Sequence, residues 1–113
     1  VGEVVATGPE GLRDARGEAI PIGARVTWSV VWSCRRCAMC RRGMSAKCEA
    51  LRKFGHEALG EDRRVMGGFA EYCFLPAGST VFVVPEEIED FAASPANCAT
   101  ASVAACFRRA GDV

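Results

Sequence analysis

The chain has 113 residues with 14 basic and 14 acidic side chains, so its formal net charge is zero, and half of it is hydrophobic. That length suits one domain burying roughly two thirds of its unfolded surface, and the neutral balance argues against nucleic acid as a partner. No apolar run approaches the ~20 residues of a membrane helix, so a membrane partner is not expected either.

The first residue is Val1, and no charged leader or cleavable apolar segment follows, so the sequence reads as a piece of a longer protein. The opening "VGEVVATG" alternates loosely and is rich in Val, which predicts a strand. Pro9 to Gly23, "PEGLRDARGEAIPIG", is charged and holds Pro and Gly, the composition of a long surface loop. "ARVTWSVVW" predicts a second strand from its β-branched and aromatic residues at near period two. A cysteine cluster then interrupts regular patterning to about Leu51. "GGFAEYCFLP" and "STVFVVP" predict two further strands around a turn at Pro76-Ala77-Gly78. "EEIEDFAA" predicts a short acidic helix. Ser94-Pro95 then has the form of a helix start, Ser as N-cap and Pro at the first helical position, for an Ala-rich helix over about 95–110 that Gly111 ends. The expected fold is mainly β with an inserted metal lobe at about 33–52 and a C-terminal helix.

Seven cysteines, an odd number without a secretory signal, favour metal ligation or free thiols in a reducing compartment, the cytoplasm, over a disulfide framework. Four of them, Cys34, Cys37, Cys40 and Cys48, are spaced C-x2-C-x2-C-x7-C. Zinc takes four soft ligands tetrahedrally at about 2.3 Å, and two-residue spacers let the chain turn back around an ion with backbone N–H groups aimed at sulfur. An iron–sulfur cluster would use a final spacer of three followed by Pro, and here the spacer is seven. Redox C-x-x-C pairs sit in a thioredoxin-like βαβ context that this sequence lacks. A structural zinc on the four thiolates is the favoured reading. Arg35, Arg36, Arg41, Arg42 and Lys47 stand among them. They are expected to offset the negative charge of a four-thiolate centre, though a basic run is also an ordinary solvated face.

This cysteine spacing, set between "RVTWSVV" and "GGFAEYCFLPAGSTVFVVPEEI", resembles the zinc-containing medium-chain alcohol dehydrogenases, in the GroES-like catalytic domain with its structural-zinc lobe. "VGEVVATG" is similar to the strand that follows the family's Gly-His-Glu motif, and "PANCATASVAA" to the helix bearing the third ligand of the catalytic zinc. Within the family, "FGHEALG" and "PANCATA" most resemble alcohol dehydrogenases associated with phosphonate catabolism. One departure is Ala24 in "GARV", where the family usually has Asp. The resemblance spans residues 1–113 as a partial catalytic domain and implies that its β part is a GroES-like partial barrel. It implies an oxidoreductase acting on a small-molecule alcohol or aldehyde with a catalytic zinc and NAD or NADP, and a homo-oligomeric whole protein. It also places the first catalytic ligands before Val1 and the nucleotide-binding domain after Val113. No G-x-G-x-x-G occurs in the chain, so no cofactor-binding residue is assigned and no catalytic set is complete.

Cys98 matches the family's third catalytic-zinc ligand; on spacing alone it reads as a small buried thiol of an Ala-rich helix. His56, the single histidine, lies in "GHE" on the wrong side of the cluster for the family motif, and reads as a loop residue near the substrate cleft sooner than a ligand. Cys73 and Cys106 are expected in the core, Cys106 eight residues after Cys98 and on the same helical face. Trp28 and Trp32 are expected to pack at the strand and the lobe edge. The alternative to an enzyme portion is a free-standing zinc-binding interaction module whose arginines contact nucleic acid.

Overall fold

Val26 and Thr27 are both buried although neighbours in a strand point to opposite faces, which marks strand β4 (Arg25–Trp28) as central. The computed structural model describes residues 1–58, 60 and 65–111. In it β4 lies between β1 (Gly2–Glu3) and β7 (Val81–Val83), antiparallel to both. The register sets Gly2 opposite Val26, Glu3 opposite Arg25, and Val81 opposite Trp28. Val4, Ile20, Val26, Val81, Val84 and Ala93 form the buried apolar set of this unit, which comprises Val1–Ser29 and Val81–Val113. The second compact unit is Val30–Thr80, with Cys48, Phe54 and Met66 buried.

The fold is mostly sheet with a C-terminal helix, as expected, but its strands are short. The Pro9–Gly23 segment is not a plain loop. It folds into a hairpin of β2 (Leu12–Arg13) and β3 (Ala19–Ile20), Leu12 opposite Ile20. The turn is built by Asp14, whose Oδ1 accepts from the N–H groups of Arg16 (2.8 Å) and Glu18 (2.9 Å), and by Gly17 at φ 91°. The predicted strand "ARVTWSVVW" breaks at Ser29-Val30, because β5 (Val31–Trp32) leaves the first sheet to pair with β6 (Arg52–Lys53) in the second unit. "GGFAEYCFLP" forms no strand; Phe69, Tyr72 and Phe74 are exposed, and the Phe74 N–H to Val65 carbonyl bond (2.7 Å) stands outside any ladder.

After β7 the chain turns into α2 (Asp90–Ala93). Arg25 anchors this stretch: its guanidinium donates to the Pro85 carbonyl at 2.7 Å and to the Ile88 carbonyl, and pairs with Asp90 at 3.4 Å. Ser94 is the C-cap of α2 rather than the N-cap of the next helix, with helical φ/ψ and its Oγ donating to the Phe91 carbonyl (3.3 Å). Pro95 keeps helical angles too, and the chain passes through a π turn, Ala96–Thr100, directly into α3 (Ala101–Ala110). Gly111 ends the helix at φ 70°. No residue of α3 is buried among the described residues, and Cys106, expected in the core, is exposed within this chain along with Val103 and Phe107.

Candidate metal centre

The second unit brings the four sulfurs of Cys34, Cys37, Cys40 and Cys48 within 4.8 Å of one another. A tetrahedron of 2.3 Å metal–sulfur bonds has edges of about 3.8 Å. The Cys34–Cys48 and Cys37–Cys48 sulfur distances, 3.5 and 4.0 Å, straddle that value. Among the described residues no other group of three or more Cys, His, Asp or Glu side chains has metal-holding geometry.

Local structure makes this convergence. Cys37 is the N-cap of a single helical turn, α1 (Ala38–Arg41), with extended angles and its sulfur accepting from the Cys40 N–H. The turn ends in a Schellman motif: the Gly43 N–H donates to the Cys40 carbonyl and the Met44 N–H to the Met39 carbonyl, both at 3.0 Å, with Gly43 at φ 78°. A 3-10 turn, Ser45–Lys47, then delivers Cys48. Sequence reading singled out the four cysteines but missed this helix; the signal was Arg42-Gly43, a helix stop one turn after Cys37.

Backbone amides point at sulfur throughout. The Cys34 and Ala50 N–H groups donate to Cys48 Sγ at 3.3 Å each, Cys37 N–H to Cys34 Sγ at 3.4 Å, and Cys40 N–H to Cys37 Sγ at 3.5 Å. Such donors favour the charged thiolate. Those of Arg36 and Cys37 hold the Cys34 thiol below its ordinary value, and those of Cys40 and Glu49 bring Cys37 down to about 6. Cys40 is pushed up to about 12, by desolvation first and then by the neighbouring Cys37 and Cys48 sulfurs. With no metal, the amide donors favour the charged form at Cys34 and Cys37, while burial and the neighbouring sulfurs oppose it at Cys40. A divalent cation would favour the thiolate at all four.

Arg35, between the first two cysteines, has φ 56°. A left-handed non-glycine residue costs roughly 1–2 kcal/mol and persists only where its surroundings fix it. Its Nη2 donates to Thr80 Oγ1 at 2.9 Å. Nearby the Trp32 indole N–H donates to the Ala77 carbonyl (2.9 Å), with the Arg52 guanidinium 5.6 Å over its ring. Trp32 therefore packs at the lobe edge as expected, and Trp28 is half-buried in β4.

The remaining candidates are elsewhere. Cys98 is exposed, in the π turn of the first unit, with its carbonyl accepting from Ser102 Oγ at 2.8 Å. The π geometry shows in the Thr100 N–H reaching back to the Pro95 carbonyl (3.2 Å); such turns interrupt helices frequently at functional sites. His56 is exposed in the turn after β6, its Nδ1 3.0 Å from the Phe54 carbonyl. Glu57 accepts there from the Lys53 N–H at 3.0 Å. Of the stretch "FGHEALG", Leu59 lies outside the described residues. Cys73 is half-buried, and burial raises its thiol.

Four convergent sulfurs within a small sheet-rich chain form a cluster that could hold a metal ion, and their chemistry suits zinc. The alcohol dehydrogenase GroES-like domain model matches residues 1–86, and the chain belongs to that family. It is 32% identical over 91 residues to a probable alcohol dehydrogenase of Mycobacterium tuberculosis, covering 78% of this chain and 24% of that protein. It is 36% identical over 93 residues to an L-threonine 3-dehydrogenase of Francisella tularensis, covering 82% of this chain and 22% of that protein. The chain thus spans about a quarter of the length of the curated relatives it matches. No solved structure gives a significant match.

Proposed function

We propose that this chain is the structural-zinc-bearing part of a zinc-dependent dehydrogenase that interconverts an alcohol and an aldehyde or ketone with NAD or NADP. In this reading Cys34, Cys37, Cys40 and Cys48 hold the structural ion. The observation that carries it is the closure of their sulfurs to near-tetrahedral spacing in a chain of this family. Four thiolates fill a tetrahedral ion, leaving no position for water or substrate, so the centre stabilises the lobe and does no chemistry.

The reaction is assigned to a second zinc, for which Cys98 supplies one of three protein ligands in the whole enzyme. A zinc with an open position would polarise an alcohol oxygen and so favour loss of hydride to a nicotinamide. Within this chain the Cys98 thiol is exposed, so it is open to an ion whose other ligands come from elsewhere in the whole enzyme. The chain by itself is expected to be inactive, because it carries one of those ligands and no glycine fingerprint. The whole protein is read as a cytoplasmic homo-oligomer acting on a small molecule. Among the described residues no helix is long and apolar enough to cross a membrane. Metal analysis of the purified full-length protein, together with nicotinamide absorbance during oxidation of a panel of alcohols and threonine, tests the reading. Zinc without turnover on any of them, or turnover without zinc, would refute it.

A further inference from the structure

We propose that Arg35 couples metal occupancy of the four-cysteine cluster to the order of the Pro76–Thr80 turn, acting as a positioning residue on both sides. The inference rests on the metal reading above and extends it to a part of the unit that contributes no ligand.

Arg35 has two attachments. Its backbone lies in the link between Cys34 and Cys37, and the N–H groups of the next two residues, Arg36 and Cys37, reach the Cys34 sulfur. Its side chain crosses to Thr80 Oγ1 at 2.9 Å and lies against Gly78, where an added Cβ would stand 4.0 Å from Arg35 Nε. The left-handed φ of 56° joins the two. It sets the direction in which the side chain leaves the backbone, and a residue that returned to the right-handed or extended region would swing its guanidinium away from the turn.

Ligation of Cys34 and Cys37 fixes the ends of that link, and with them the unfavourable φ. Loss of the ion lets Arg35 relax, and the turn loses its charged donor. What then remains for the turn is the Trp32 indole on the Ala77 carbonyl and its own Ser79 contacts to the Pro76 carbonyl, from the N–H at 3.0 Å and from Oγ at 2.7 Å. Coupling of this kind is reciprocal: if the ion orders the turn through Arg35, the turn's contact strengthens binding of the ion by the same factor.

A double-mutant cycle in zinc affinity isolates the effect, measured on the full-length protein by competition with a chromophoric chelator. Thr80→Val removes the acceptor and keeps the turn's shape. It should weaken zinc binding at this centre by about fivefold, the low end of measured couplings between sites. Arg35→Gly keeps the left-handed backbone at no steric cost but removes the guanidinium, and in that background Thr80→Val should change zinc affinity by less than about twofold. Equal effects of Thr80→Val in both backgrounds, or none in either, would overturn the proposal.

Amide exchange with and without zinc gives the second readout. The Ser79 N–H should lose protection when zinc is removed from the wild type, and should become indifferent to zinc in either single variant. The Cys37 and Cys40 N–H groups should respond to zinc in all of them. A Ser79 amide that responds in the variants as in the wild type would overturn the proposal while leaving the metal reading intact. Lobe amides indifferent to zinc would overturn the metal reading, and this one with it.

Discussion

Cys34 and Cys48, fourteen residues apart in sequence, bring their sulfurs to 3.5 Å, and the Cys34 backbone N–H donates to the Cys48 sulfur at 3.3 Å. The first and last cysteines of the cluster therefore close a loop that has little else to hold it. Of residues 34–48 only Cys48 is buried, and α1 is a single turn.

One zinc per chain is expected at this centre. Apparent binding free energies at structural zinc sites are about 10–16 kcal/mol, far more than a loop with one buried residue can supply from apolar contacts. Chelation should unfold residues 34–48 and leave the β1–β4–β7 sheet, with Val26 and Val81 in its core. Cys48→Ser should do the same without a chelator. Amide cross-peaks followed through a chelator titration check this; sheet and lobe melting together would contradict it.

Zinc binding should release protons, because all four sulfurs bind as thiolates. Near neutral pH Cys37, drawn down to about 6, is already ionised in the metal-free lobe, whereas Cys40, pushed up to about 12, is fully protonated. Zinc should therefore displace at least the Cys40 proton at about pH 7.5, and apparent affinity should fall as pH drops. The Cys37 contribution has a separate sign. Its folded-state value lies below the ordinary thiol value of 9.0, so its stabilisation of the metal-free lobe is complete above about 9 and is lost as pH falls through about 6. Calorimetry in buffers of different ionisation enthalpy counts the protons directly; a count near zero would show the thiolates preformed.

The convergence of Cys34, Cys37, Cys40 and Cys48 was legible from spacing because two-residue spacers turn the chain back on itself locally. So was the end of the last helix, where Gly111 takes a φ open to few other residues. What sequence reading missed depended on partners distant in sequence. "ARVTWSVVW" alternates as one strand, yet Val31 and Trp32 pair with Lys53 and Arg52 rather than with the neighbours of Val26. Ser94-Pro95 has the composition of a helix start, yet α2 runs into it, and a proline with φ −79° can sit within a helical path as readily as at its first turn. Asp14 and Gly17 were read as loop composition, and their hairpin depended on Leu12 meeting Ile20.

Arg25→Ala should destabilise the first unit by about 1–2 kcal/mol, somewhat below the usual worth of two charge-assisted bonds because the side chain is partly exposed. It removes the donors to the Pro85 and Ile88 carbonyls and the pair to Asp90. Arg25→Lys should recover only part of this, since an ammonium cannot hold two carbonyls and a carboxylate in the guanidinium's fork. Denaturant unfolding compares the two; equal stability of the alanine variant and wild type would show the clamp to be idle.

Two substitutions in the same sheet should act with opposite sign. Val81 is fully buried, and Val81→Ala should cost about 2 kcal/mol, two methylene equivalents plus a residual cavity. Thr27 is buried with its Oγ1 unpartnered among the described residues. Thr27→Val replaces that hydroxyl with a methyl group and should be neutral or stabilising by up to about 1 kcal/mol. A Thr27→Val variant with a lower melting temperature would reveal a bond to that hydroxyl.

Hydride moves only over contact distance between a bound nicotinamide and an activated alcohol, so both sites must exist and face each other. On the proposed reading this chain offers Cys98 toward one of them and, without a glycine fingerprint, nothing toward the other. The isolated chain, loaded with zinc, should leave nicotinamide absorbance unchanged with alcohols and aldehydes alike. In the full-length protein Cys98→Ala should lower metal content by one ion per chain and reduce kcat by about a thousandfold, the several kcal/mol that a metal contributes to charge stabilisation. The metal count separates the possible causes. Loss of one ion with the lobe amides of residues 34–48 still protected assigns Cys98 to the second zinc. Loss of activity with both ions retained would make it a group of the helix that shapes the site without binding metal. Full activity with both ions retained would leave Cys98 an exposed thiol in a π turn and return the catalytic ligand to another residue.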